Sequence, residues 1–124
     1  IVYARMLADN ISKYNSSVYL INTGWSGGPY GIGKRMDLKY TRAMVSASLN
    51  GDLERVNYIH DNIFNLDIPH SCPQIPSKIL DPKSSWSNTD QYIVAAKRLA
   101  HLFIENFNRF GEETKYLAKF GPQI

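Results

Sequence analysis

At 124 residues the chain is one domain or part of one. Hydrophobic residues make up 44%, enough for a core, but no apolar run approaches the ~20 residues of a membrane-spanning helix. The net charge of +3 is mild, with Lys and Arg interleaved among Asp and Glu, which argues against a nucleic-acid footprint. The single Cys72 excludes an internal disulfide and fits a reducing, cytoplasmic setting.

The first segment, to about Tyr14, has helical spacing, with Ile1, Met6, Leu7 and Ile11 near one face, and Asn15-Ser16-Ser17 ends it. A chain that starts inside a helix is expected to be a piece of a longer protein. Ser17-Val18-Tyr19-Leu20-Ile21 reads as a short buried strand. After the glycine-rich run Asn22 to Met36, Asp37 is the expected N-cap of a helix to Asn50, with Leu38, Thr41, Val45 and Leu49 on one stripe, Met44 beside it, and Gly51 as the left-handed cap. Val56–Ile59 and Phe64–Ile68 alternate as two strands around an Asp61-Asn62 turn. Residues 69–83 carry four prolines, which suggests an ordered extended connection or an irregular crossover rather than a linker, because Ile75, Ile79 and Leu80 still demand burial. Ser87 and Asp90 resemble a capping box for a long helix to about Phe110, buried through residues such as Tyr92, Ala96, Leu99, Phe103 and Phe107. Gly111 stops it, and a short helix over Thr114–Phe120 ends at Gly121-Pro122. The expected class is α/β, a mixed sheet with helices packed on it.

The chemistry concentrates in NTGWSGGPYGIGKRM, Asn22 to Met36, where five of the eight glycines lie. Glycine lets a backbone approach a phosphate without a Cβ in the way. Gly28 to Lys34 satisfies GxxxxGK, but Arg35 stands where a phosphate loop needs Ser or Thr to hold Mg²⁺, and Pro29 removes one N–H donor. Three readings stand: an autonomous phosphate loop, a glycine-rich connection around a packed Trp25 and Tyr30, or a loop whose Lys34 and Arg35 meet an anionic or purine ligand held mainly elsewhere. The third fits the residues best. The planar fork of Arg35 pairs with phosphate or stacks on a purine. Lys39 and Arg42 share a helix face, either as part of that basic site or as a solvated surface.

No catalytic constellation is evident. His60, His70 and His101 are far apart and lack metal-ligand spacing, so each is expected to be a surface or hydrogen-bonded histidine. Cys72, between Ser71 and Pro73, reads as a small packed residue. Asp52, Glu54, Glu112 and Glu113 read as solvated charges.

NTGWSGGPYGIGKRM, continued by DLKYTRAMVSASLNG and later by FNLDIPHSCPQIPSKILDP and LAHLFIENFNRF, resembles the C-terminal part of ATP-dependent phosphoenolpyruvate carboxykinases over essentially the whole chain. The resemblance implies part of the C-terminal lobe of that fold, residues 1–124 forming a single fragment of its nucleotide-binding domain. It implies conversion of oxaloacetate and ATP to phosphoenolpyruvate, CO₂ and ADP, with Mg²⁺ and Mn²⁺ held outside these residues. The family's phosphate loop, metal ligands and oxaloacetate-binding arginine have no counterpart in this segment. What carries over is the adenosine side of the ATP pocket: Arg35 and Met36 of GKRM, and Thr41 of KYTR. Gly27-Gly28-Pro29-Tyr30 lengthens a loop that is shorter in some members. The implied partners are oxaloacetate, ATP and the preceding part of the same protein, with no nucleic acid and no membrane. On this reading the segment alone is inactive; the alternative is a stand-alone, non-catalytic nucleotide-binding or interaction module.

Overall fold

The computed structural model of the chain describes residues 2–124, so the expected placement of Ile1 on a helix face lies outside the described residues. Helix α1 covers Val2–Tyr14. It stops as the sequence suggests, with Asn15 at a φ of 49° and the Ser16 N–H donating to the Ile11 carbonyl at 3.2 Å. No residue of α1 is buried: Met6 and Leu7 lie open and Ile11 is half-buried.

The strand expected over Ser17–Ile21 does not form. These residues are β-prone, but among the described residues no strand runs beside them to complete a ladder, and extended backbone without a partner is not a strand. Val18 and Leu20 are exposed while Tyr19 packs against the core, and the Ser17 hydroxyl donates to the Glu54 carboxylate at 3.1 Å. The segment is anchored through side chains instead.

The glycine-rich run folds into a hairpin of β1 (Trp25–Ser26) and β2 (Lys34–Arg35). A second hairpin joins β3 (Tyr58–Asp61) to β4 (Leu66–Pro69). Both ladders are antiparallel and separate, so small sheets and helices do share the chain, but two two-stranded ladders replace the expected mixed sheet. The second hairpin lies two residues beyond the expected start of each strand. Asp61 fixes that register: its carboxylate accepts from the Ile63 and Phe64 N–H groups at 2.8 Å each, which turns the chain after β3 rather than within it. Asn65, at φ 56°, completes the turn.

Helix α2 spans Leu38–Leu49, with Asp37 in the N-cap place but making no side-chain cap bond. Gly51, at φ 73°, supplies the left-handed step and leads into a 3₁₀ turn over Asp52–Arg55. The buried face of α2 corrects the expectation. Tyr40, Ala43, Met44 and Ala47 pack inward, whereas Leu38 and Leu49 are exposed. The helix carries apolar residues on two faces, and both satisfy helical periodicity. Packing chose the face with the small residues, which lets α2 lie close to Leu53, Cys72 and Ile75, the rest of the core.

Residues after β4 form two single-turn helices, α3 (Ser77–Leu80) and α4 (Pro82–Ser85), where an extended connection or an irregular crossover was expected. Pro82 sits at the first position of α4, where a missing N–H costs nothing. Ile75 is buried and Ile79 and Leu80 half-buried, as expected. The long helix α5 runs over Thr89–Phe107, and its cap is Asn88, whose side chain accepts from the Asp90 and Gln91 N–H groups at 2.9 and 3.1 Å. That displaces the capping box expected at Ser87. The buried stripe of α5 is Tyr92, Ala96 and Ala100, narrower than expected, and Leu99 and Phe103 remain about half exposed. A 3₁₀ helix over Glu112–Phe120 closes the chain.

Candidate functional site

In the hairpin of β1 and β2, Trp25 stands opposite Arg35 and Ser26 opposite Lys34. Residues directly opposed in an antiparallel pair project to the same face, about 4.5–5.5 Å apart at Cβ. Trp25 and Arg35 therefore share one side of the ribbon. The Met36 N–H donates to the Gly24 carbonyl at 3.0 Å and locks the stem below them.

The loop closes inward. The Ile32 and Gly33 N–H groups both donate to the Pro29 carbonyl, at 3.0 and 2.9 Å. Those are amides that a phosphate loop would aim at its ligand, so Gly28 to Lys34 matches the phosphate-loop pattern without its geometry. Gly33 lies so close to the opposite side of the loop that a Cβ there would sit 2.3 Å from the Gly28 carbonyl oxygen. Gly27 approaches the Ser85 carbonyl of α4 in the same manner, at 2.8 Å. Glycine serves here to close the loop and seat it on α4.

Trp25 is not a packing plug. It is 51% exposed and meets Tyr30 edge-on, with ring centroids 5.3 Å apart, while Tyr30 at the tip is 85% exposed. Arg35 is exposed and makes no ion pair among the described residues. Met36 is half-buried between hairpin and α2. Thr41 is half-buried in the first turn of α2, its N–H reaching the Asp37 carbonyl at 3.5 Å. The three residues thus lie on consecutive elements, strand end, connection and first helical turn.

The wider basic group splits. Lys39 turns to its neighbours: Nζ lies 4.8 Å from the centre of the Tyr40 ring and 3.5 Å from the Asp37 carboxylate. Tyr40 first, and then Asp37, hold its ammonium above the ordinary lysine value. Lys34, Arg35 and Arg42 are exposed and outside the ion pairs of the described residues.

The histidines behave as expected. His60 Nδ1 meets Asp67 Oδ1 at 2.9 Å across the β3–β4 ladder, and His70 and His101 are exposed. Cys72 is buried, and burial pushes its thiol up from the ordinary value. Among the described residues, no three His, Cys, Asp or Glu side chains come together as a metal site. One feature escapes sequence reading, an open groove of about 710 Å³ between the second hairpin and α3–α5, lined in part by His60, His70, Lys78, Lys83 and Tyr92. Its walls come from distant segments, so no local motif announces it.

Residues 1–78 match the family model described as phosphoenolpyruvate carboxykinase. The chain belongs to the phosphoenolpyruvate carboxykinase family. Within it, the chain is similar to proteins named phosphoenolpyruvate carboxykinase (ATP). That of Caldanaerobacter subterraneus subsp. tengcongensis is 54% identical over 98% of this chain, and that of Fusobacterium nucleatum subsp. nucleatum is likewise 54% identical over 98%. The protein of Brevibacillus brevis is 48% identical over the full chain. The chain spans about a quarter of the length of these relatives, 23% of the first two and 24% of the third.

Proposed function

We propose that the chain is a C-terminal segment of an ATP-dependent phosphoenolpyruvate carboxykinase, contributing part of one lobe and the adenosine side of the ATP pocket. The observation that carries this reading is identity of about half along nearly the whole chain to relatives of that name. The complete polypeptide would convert oxaloacetate and ATP to phosphoenolpyruvate, CO₂ and ADP. Arg35, Met36 and Thr41 would line the nucleoside, with the guanidinium of Arg35 as the main contact. The inward-turned amides of the loop do not fit a triphosphate cradle, whereas Arg35, opposite Trp25 in the ladder and without an ion pair among the described residues, suits the nucleoside end. Mg²⁺ and Mn²⁺ would be held by the rest of the polypeptide, where divalent ions neutralise phosphate charge during transfer.

The open apolar residues favour this reading over a stand-alone module. Tyr3, Leu20, Ile32 and Leu49 are all more than 70% exposed, which suits a segment completed by other parts of a longer protein. A cytoplasmic setting follows from the same reading.

The test is phosphoenolpyruvate formation from oxaloacetate and ATP by the full-length polypeptide, native and with Arg35→Ala. The expected result is a rise in KM for ATP of about tenfold, corresponding to loss of about 1.4 kcal/mol of nucleotide binding. A collapse of kcat with KM unchanged would remove Arg35 from the adenosine side.

A further inference from the structure

We propose that Tyr30 and Trp25 form an aromatic wall for the nucleobase, making Tyr30 a specificity-determining residue. The inference rests on the adenosine-side reading of Arg35 and extends it to the lengthened loop. Trp25 and Arg35 are opposed across the β1–β2 ladder, so they project to one face. Tyr30 reaches back from the tip and sets its ring 5.3 Å from that of Trp25 at 81°, which leaves the two faces as a corner rather than a closed stack. Trp25 and Tyr30 are 51% and 85% exposed.

The backbone holds this corner in place. Gly27 and Gly31 take φ of 81° and 89°, conformations that let the loop double back. The two amides donated to the Pro29 carbonyl fix the turn that carries Tyr30. A planar heterocycle with an anionic tail fits such a surface: ring faces stack on the base, and the guanidinium meets the ring or the adjacent anion. Purines, with the larger face, would gain more than pyrimidines.

The experiment uses the full-length enzyme with Tyr30→Ala, Tyr30→Phe and Arg35→Ala, and compares ATP with CTP. Tyr30→Ala is expected to raise KM for ATP about fivefold to tenfold, more than any fall in kcat. It should also shrink the ATP-over-CTP ratio of kcat/KM by a similar factor, while Tyr30→Phe stays near native. In a Trp86→Phe background, which leaves Trp25 as the only tryptophan of this segment, ATP should quench its emission and Tyr30→Ala should weaken that response. If Arg35→Ala raises KM but Tyr30→Ala changes neither KM nor the base ratio, the aromatic wall is refuted and the adenosine-side reading survives. If neither variant changes KM, the adenosine-side reading fails with it. Equal losses in Tyr30→Ala and Tyr30→Phe would assign the effect to the hydroxyl and overturn stacking.

Discussion

Replacing Gly33 by Ala should open the β1–β2 hairpin. The added Cβ would stand 2.3 Å from the Gly28 carbonyl oxygen, 2.9 Å from its carbon and 2.8 Å from the Ser26 carbonyl oxygen. Ordinary contact begins about 1 Å further out, and all three atoms are backbone, with no flexible side chain to swing away. The hairpin must spread by that ångström, at a cost of about 3 kcal/mol. Gly31→Ala is the internal control. Its Cβ meets nothing within 4 Å, but φ is 89°, so only the conformational penalty of about 1–2 kcal/mol applies. Amide hydrogen exchange in the full-length protein reads the difference locally. A loss of about 3 kcal/mol should speed exchange of the Met36 N–H, bonded to the Gly24 carbonyl, by about a hundredfold. Gly31→Ala should speed it by only about tenfold, and KM for ATP should rise more in Gly33→Ala because Arg35 leaves its place opposite Trp25. Equal exchange rates in the two variants would refute the steric argument.

Asn88→Ala should cost about 1 kcal/mol, since it removes the side-chain acceptor for two α5 amides; Ser87→Ala should be nearly neutral. Denaturant unfolding that ranks them the other way would return the cap to Ser87. Stability should fall as pH rises above about 9. Burial raises the Cys72 thiol above its ordinary 9.0 and the Tyr58 and Tyr92 phenols above 10.0. Between each ordinary value and the raised one the unfolded chain loses its proton first, so the native state loses ground with increasing pH. Tyr92→Phe should flatten the alkaline limb measured by urea unfolding, and an unchanged limb would exclude that phenol as a contributor.

Much of the element order was legible because it is written in local chemistry. Asn15 and Gly51 end their helices through left-handed steps that those residues adopt at little cost. The two-strand alternation around Asp61-Asn62 gave the second hairpin to within two residues. What was not legible depends on partners distant in sequence. The Ser17–Ile21 stretch has strand composition, but pairing is decided by a neighbour, and none of the described strands supplies one. The most buried positions of α2 and α5 went to Ala47, Ala96 and Ala100, with Tyr40, Met44 and Tyr92 beside them, rather than to Leu38, Leu49 and Leu99. Hydrophobicity ranks Leu above Ala, whereas close approach of two backbones ranks them the other way. At the site, GxxxxGK suggested a cradle, and the Arg35 mismatch correctly warned against it. The closing of the loop around the Pro29 carbonyl, and the Trp25–Arg35 opposition, required the register.

The stem of the first hairpin has backbone bonds of its own, separate from those of its tip. The Gly24–Met36 bond and the two ladder pairs fix Arg35 from below, while the backbone hydrogen bonds of the turn carrying Tyr30 run to the Pro29 carbonyl within the turn. Changes confined to the tip at Tyr30 and Gly31, where a Cβ added at Gly31 meets nothing within 4 Å, can therefore accumulate with little shift of the guanidinium, whereas Gly27, Gly28 and Gly33 stay tied to the stem and to α4 by close contacts. Such a division lets one end of a loop drift over evolutionary time, trying new surfaces against a ligand, while the other keeps its place.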